Sequence, residues 1–97
     1  MKISIITLTF NSASVINDCI DSVKSQNFKN IEHIIIDGGS KDGTVSLLNS
    51  RSNDFSILIS EPDKGIYDAM NKGIKFAKGE IIGFLNSDDF YANNKVI

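Results

Sequence analysis

Apolar and polar positions along the chain change their period several times. Residues 3–10, ISIITLTF, form a run rich in β-branched side chains, the pattern of a buried strand. After it Val15, Ile16, Cys19, Ile20 and Val23 recur at helical spacing, with Ser12 or Ser14 available to cap the helix. IEHIIID, residues 31–37, again reads as a buried strand, and GGSKDGTVSLLNS leads through a glycine-rich turn into a short helix. SILIS, residues 56–60, is a third strand. EPDKG then opens a helix in which Ile66, Ala69, Met70, Ile74 and Ala77 share one face and which Gly79 can stop. EIIGFL, residues 80–85, is the fourth strand. Strand and helix alternate throughout, which predicts an α/β fold: a parallel sheet of about four strands with helices on both faces, joined by right-handed crossovers.

In such sheets ligands bind outside the carboxyl ends of the strands, and here each strand ends in polar groups. Thr9 and Asn11 follow the first, Asp37 the second, Glu61 and Asp63 the third, and Asn86 to Asp89 the fourth. Loops must be polar somewhere, but acids need not stand at nearly every carboxyl end. Asp88 and Asp89 are adjacent, and two carboxylates that close raise each other's pKa unless a cation or several donors offset the charge. A solvated turn capping a further helix would also account for NSDD. A hard divalent ion shared with an anionic ligand accounts for the whole set of acids.

Composition limits the classes that remain. With 97 residues, 41% of them hydrophobic and 23% charged, the chain is at most one domain of an ordinary globular kind. A formal charge of −2 with scattered basic residues leaves no footprint for nucleic acid. Cys19 is the single cysteine, so there is neither a disulfide framework nor a cysteine zinc site, and packing on a helix face is its expected role. The amino-terminal apolar run is short, alternates with Ser and Thr and lacks a cleavage site, and no stretch of 18 apolar residues occurs. A soluble, intracellular chain is therefore expected. Neither G-x-x-x-x-G-K-[ST] nor G-x-G-x-x-G is present, which argues against a P-loop enzyme or an ordinary dehydrogenase. His33, the lone histidine, lies in mid-strand with no assigned role.

Taken in order, SIITLTFN, IIIDGGSKDGT, EPDKGIYDAMNKGIKFAKGE and FLNSDD resemble the amino-terminal half of a family 2 glycosyltransferase of the Rossmann-like GT-A fold. The likeness runs from Lys2 to Phe90 and implies a site for a nucleotide-diphosphate-sugar, with a UDP-sugar expected. By this resemblance Thr7, Thr9 and Asn11 lie along base and ribose. Asp37 accepts a hydrogen bond from the uracil ring N–H, a charge-assisted contact that cytosine cannot offer in the same way. Asp37 can equally form an Asx turn into Gly38 and Gly39. Where many relatives have two acids, this chain has Asp37 and Gly38, and Gly38, Gly39 and Gly43 are expected to serve the backbone, with Ser40 and Asp42 capping the next helix.

NSDD matches the family's D-x-D element, which holds Mn²⁺ or Mg²⁺ against the donor phosphates. Asp88 and Asp89 are then the charged metal ligands, Asp88 also facing the donor, and Asn86 stands where many relatives have the first aspartate. Asp63, Lys64 and Asp68 are implied to flank the donor, with Lys64 meeting a phosphate. Lys72, Lys75 and Lys78 fit an exposed helix face, and Tyr67 and Met70 fit the core.

The implied reaction is transfer of a sugar, usually with inversion, to a saccharide or lipid-linked acceptor, as in cell-surface polysaccharide synthesis. It would take place in the cytoplasm or at the inner face of the membrane. The general base of relatives lies well downstream of D-x-D and is expected beyond Ile97, so no catalytic residue is assigned, and the chain resembles a donor-binding half cut before the acceptor side. Uncovered strand edges would then favour self-association. A non-catalytic nucleotide-binding or interaction module of the same fold is the alternative. A phospho-acceptor receiver domain would need an acidic pair after the first strand, where TFNS stands.

Overall fold

The computed structural model describes residues 2–26, 30–62 and 64–86, the side chains of Ile66 and Asn86 excepted. The elements follow in the order β1 (Ile3–Thr9), α1 (Ile16–Lys24), β2 (Ile31–Asp37), α2 (Thr44–Ser50), β3 (Ile57–Ser60), α3 (Ile66–Phe76) and β4 (Ile81–Asn86). The strands form one parallel sheet in the order β3-β2-β1-β4.

Successive side chains of a strand point to opposite faces, and here each face meets a different layer. Ile3, Ile5, Ile35 and Leu85 pack against Ile16, Cys19, Ile20 and Val23 of α1 and Leu48 of α2. Ile6, Ile34 and Ile36 meet Ala69 of α3, with Leu8, Ile57 and Ile59 beside them. α3 sits close to β1. A Cβ on Gly73 would come within 2.4 Å of Ile6 Cγ2, so a small residue is what lets the helix approach the sheet.

Two expected helix signals work differently from the sequence reading. Neither Ser12 nor Ser14 caps α1 through its side chain; the backbone carbonyl of Ser12 accepts the N–H groups of Val15 (3.0 Å) and Ile16 (2.9 Å) instead. Gly79 does not stop α3, which ends at Phe76 because Ala77 is extended (φ −72°, ψ 133°). Gly79 serves close approach: a Cβ there would lie 2.6 Å from Ser4 N and 2.8 Å from Lys2 O. Its N–H donates to Ser4 Oγ (2.8 Å), Ser4 Oγ donates to Glu32 Oε2 (2.7 Å), and the Lys78 N–H donates to the same oxygen (2.8 Å). This chain of bonds pins the entry into β4 against the amino end of the sheet.

His33 is buried beneath the α1 layer, its Nε2 2.7 Å from Thr7 Oγ1. Desolvation pushes its pKa down to about 4, because burial disfavours the charged form. The folded value lies below the unfolded one, so the unfolded chain takes up the proton more readily. Stability is full above the unfolded pKa and is lost as pH falls from about 6.5 toward 4. Acidification from pH 7 to pH 5 is expected to cost about 2 kcal/mol through this group. Urea midpoints at the two pH values check this, and His33→Gln should flatten the difference.

Among the described residues β3 and β4 are the edge strands of the sheet. On β4 Ile81, Ile82 and Phe84 are exposed, at 46%, 39% and 42%. No helix among the described residues is long and apolar enough to cross a membrane.

Candidate functional site

Strand register aligns the carboxyl ends. Thr9 is opposite Asp37, Asp37 opposite Ser60, and Leu8 opposite Asn86, so the chain enters NSDD on the edge where the first three strands end. Asp88, Asp89 and Asp63 lie outside the described residues, and of Asn86 only the backbone, closing β4, is described. Among the described residues no group of three His, Cys, Asp or Glu is placed to hold a metal ion.

Asp37 is the centre of the described edge. It is fully buried. Oδ2 accepts the N–H groups of Gly39 (3.0 Å) and Ser40 (2.8 Å) and the hydroxyl of Ser60 (2.9 Å), while Oδ1 accepts the hydroxyl of Ser40. The bond to Gly39 is an Asx turn, one of the two roles its sequence allowed. Gly39 follows with φ 89° and Gly43 with φ 98°, whereas Gly38 has no positive φ.

The loops after β1 and β2 are braced to each other. The Asn11 N–H donates to Ser40 Oγ (2.7 Å), and the Lys41 N–H donates to Asn11 Oδ1 (2.8 Å). Asn11 holds φ 48°, a left-handed conformation that Asn tolerates better than most side chains. The Ser12 N–H donates to Thr44 Oγ1 (2.8 Å), and the Ala13 N–H to Asp42 Oδ2 (3.2 Å). Asp42 also accepts from the Thr44 hydroxyl and N–H at the start of α2, and the Thr44 hydroxyl is the main cause of its lowered pKa. Ser40 spends its hydroxyl on Asp37 rather than on a helix cap.

Thr9 is 5% exposed, and its hydroxyl has no partner among the described residues. A buried, unsatisfied hydroxyl at a strand end is costly unless a ligand or water meets it. Thr7 sits deeper than Thr9. It lies two residues back on the same face and is fully buried, with its hydroxyl on His33 and 3.8 Å from Cys19 Sγ. Its side chain belongs to the core beneath α1, not to the edge.

At the start of α3 the Lys64 N–H donates to Asp68 Oδ2 (2.9 Å). That bond, with nearby Lys72, holds the Asp68 carboxyl below its ordinary pKa. Lys72 is not on an open polar face: its ammonium pairs with Glu61 (3.1 Å) and Asp68 (3.6 Å) and donates to the Pro62 carbonyl (3.2 Å). It ties the loop after β3 to the helix. Tyr67, expected in the core, is 79% exposed. Phe10, which the sequence reading included in the buried strand run 3–10, lies just past the end of β1 and is 59% exposed beside Thr9 and Asn11. The signal was available: a large aromatic directly follows a strand whose polar end was already singled out.

The geometry therefore offers a polar edge with a buried carboxylate, an unpartnered hydroxyl and an exposed aromatic ring. The family model for Glycosyl transferase family 2 matches residues 4–96, and the chain belongs to that family. An uncharacterized glycosyltransferase of Mycobacterium tuberculosis is 42% identical over 96 residues, covering 98% of this chain and 37% of the relative. A PGL/p-HBAD biosynthesis glycosyltransferase of Mycobacterium bovis is 38% identical over 89 residues, covering 89% of this chain and 35% of the relative. S. aureus TarS in complex with UDP superposes with a TM-score of 0.84 at 28% identity, over 98% of this chain and 29% of that one. The mannosyltransferase PcManGT of Pyrobaculum calidifontis, in complex with GDP-Man and Mn²⁺, gives 0.89 at 25% identity, over 96% and 29%. The parallel sheet with its flanking helices is that of the GT-A glycosyltransferases. The chain spans little more than a third of the length of the curated relatives it matches.

Proposed function

We propose that this chain is the donor-binding half of a family 2 glycosyltransferase that takes a nucleotide-diphosphate-sugar, a UDP-sugar by preference. The observation that carries the reading is the register, which sets the ends of all four strands on one edge, Asp37 beside Thr9 and Asn86 beside Leu8. Asp37 and the Thr9 hydroxyl would meet the base and ribose. Phe10 offers a flat apolar face of the kind on which a base stacks. Asn11 contributes by holding its loop to Ser40 and Lys41. Lys64, Asp63 and Asp68 would flank the diphosphate side.

Asp88 and Asp89, with Asn86 as a neutral oxygen donor, suit Mn²⁺ or Mg²⁺, which prefer such hard ligands. When bound, the ion offsets the negative charge that develops on the departing diphosphate. In the transfer an acceptor hydroxyl oxygen forms the new bond to the anomeric carbon and the bond to the diphosphate breaks, with inversion. The proton of that hydroxyl needs a general base, which this reading assigns to the acceptor side beyond Ile97. The acceptor is a saccharide or lipid-linked saccharide of a cell-surface polysaccharide, and a cytoplasmic location belongs to the same reading.

A non-catalytic nucleotide-binding module of the same fold is the second reading. An assay with UDP-sugar, Mn²⁺ and a panel of sugar acceptors separates them from a complete enzyme. The pure 97-residue chain is expected to bind nucleotide without measurable transfer. It should also run larger than a monomer on sizing, since the apolar side chains of β4 lie open at a sheet edge. Turnover would overturn the assignment of the base and direct the search to Glu61, Asp63 and Asp68.

A further inference from the structure

The Asp37 carboxylate already accepts four hydrogen bonds. An ionised carboxylate offers about four lone-pair sites, two on each oxygen; three donors crowd Oδ2, the N–H groups of Gly39 and Ser40 and the Ser60 hydroxyl, while Oδ1 holds the Ser40 hydroxyl. The carboxylate is also fully buried, so a nucleobase N–H reaches it where one of these covering donors gives way. The N–H groups of Gly39 and Ser40 are fixed in the turn. The Ser40 hydroxyl also accepts the Asn11 N–H, so moving it would break the brace between two loops. Ser60 differs on each count. It ends an edge strand, it is an exposed residue, and its hydroxyl makes only this bond among the described residues. It also shares Oδ2 with two other donors, whereas Oδ1 has one.

We infer that Ser60 is the exchangeable cover of Asp37. Its hydroxyl satisfies the carboxylate when no nucleotide is bound, and turns to water when the base N–H takes its place. Ser60 is thus a positioning residue that competes with the donor and sets its affinity from the ground state. The inference rests on the reading of Asp37 as the base-binding acid.

Calorimetric titration of the full chain with UDP and with inorganic pyrophosphate, both in Mn²⁺, tests it on the wild type, Ser60→Ala and Ser60→Thr. Ser60→Ala should bind UDP roughly threefold to tenfold more tightly, the range of one net hydrogen bond, with pyrophosphate affinity unchanged. Ser60→Thr, which keeps the hydroxyl, should behave as the wild type. Unchanged or weaker UDP binding by Ser60→Ala overturns the inference, as does an equal gain for pyrophosphate. If the wild type binds UDP no better than pyrophosphate, the base-binding role of Asp37 fails and the inference falls with it. A wild-type preference for UDP without a gain in Ser60→Ala rejects Ser60 alone.

Discussion

Asp37→Ala is expected to weaken UDP binding by roughly 1 to 3 kcal/mol, the usual range for a hydrogen bond to a charged group, and to lower the stability of the chain as well. The two effects have separate causes. Stability falls because the N–H groups of Gly39 and Ser40 and the hydroxyls of Ser40 and Ser60 lose their common acceptor. The hydroxyls can turn to water, but the backbone donors of the turn cannot, and each unsatisfied donor costs about 1 to 3 kcal/mol where it is buried. Urea unfolding measures that part. Affinity falls because the ring N–H of uracil loses its acceptor, and titration of the folded variant with UDP and CDP measures that part. A larger loss for UDP than for CDP is the expected result. Equal losses would leave Asp37 as a turn residue only.

The layered fold was legible because its signals are local. Four short runs dense in isoleucine read as strands, the first two of them buried, and the stripe Ile16, Cys19, Ile20, Val23 gives α1 its face. The polar strand ends were equally plain. What the sequence could not supply was depth. Thr7 and Thr9 stand on one face of one strand, two residues apart, and what separates them is their surroundings: the Thr7 hydroxyl meets His33 and Cys19, while that of Thr9 meets nothing described. The partner of His33 likewise depends on a register between strands 26 residues apart in sequence.

Side chains that reach across loops were misread for the same reason. Helical spacing suits Lys72 to an exposed face, yet its long stem lets the ammonium bridge Glu61, Asp68 and the Pro62 carbonyl. Tyr67 was assigned to the core on residue type, but the buried stripe of α3 is built from the small residues Ala69 and Gly73, so the ring is left outside. The resemblance to glycosyltransferases, by contrast, rested on four motifs in order, and the match over residues 4–96 covers nearly the same span.

The second large effect concerns the divalent ion. Asp88 and Asp89 are adjacent in sequence shortly after β4 and in the proposed function lie beside the carboxylate and hydroxyls of the other strand ends, and two adjacent acids are tolerated best where a cation balances them. Asn86 supplies no charge, so removal of one aspartate should leave too little to hold Mn²⁺ against a diphosphate. Asp89→Ala is expected to abolish Mn²⁺-dependent UDP binding while the thermal midpoint of the metal-free chain stays within a few degrees of the wild type.

The most direct measurement of the whole account is therefore a calorimetric titration of UDP into the wild-type chain and Asp89→Ala, each with Mn²⁺ and with chelator. Saturable binding by the wild type that chelator removes, and its absence in Asp89→Ala at any Mn²⁺ concentration tested, is the predicted result. Equal affinity in both proteins, or wild-type binding indifferent to chelator, would contradict a metal-held nucleotide-sugar site at this edge.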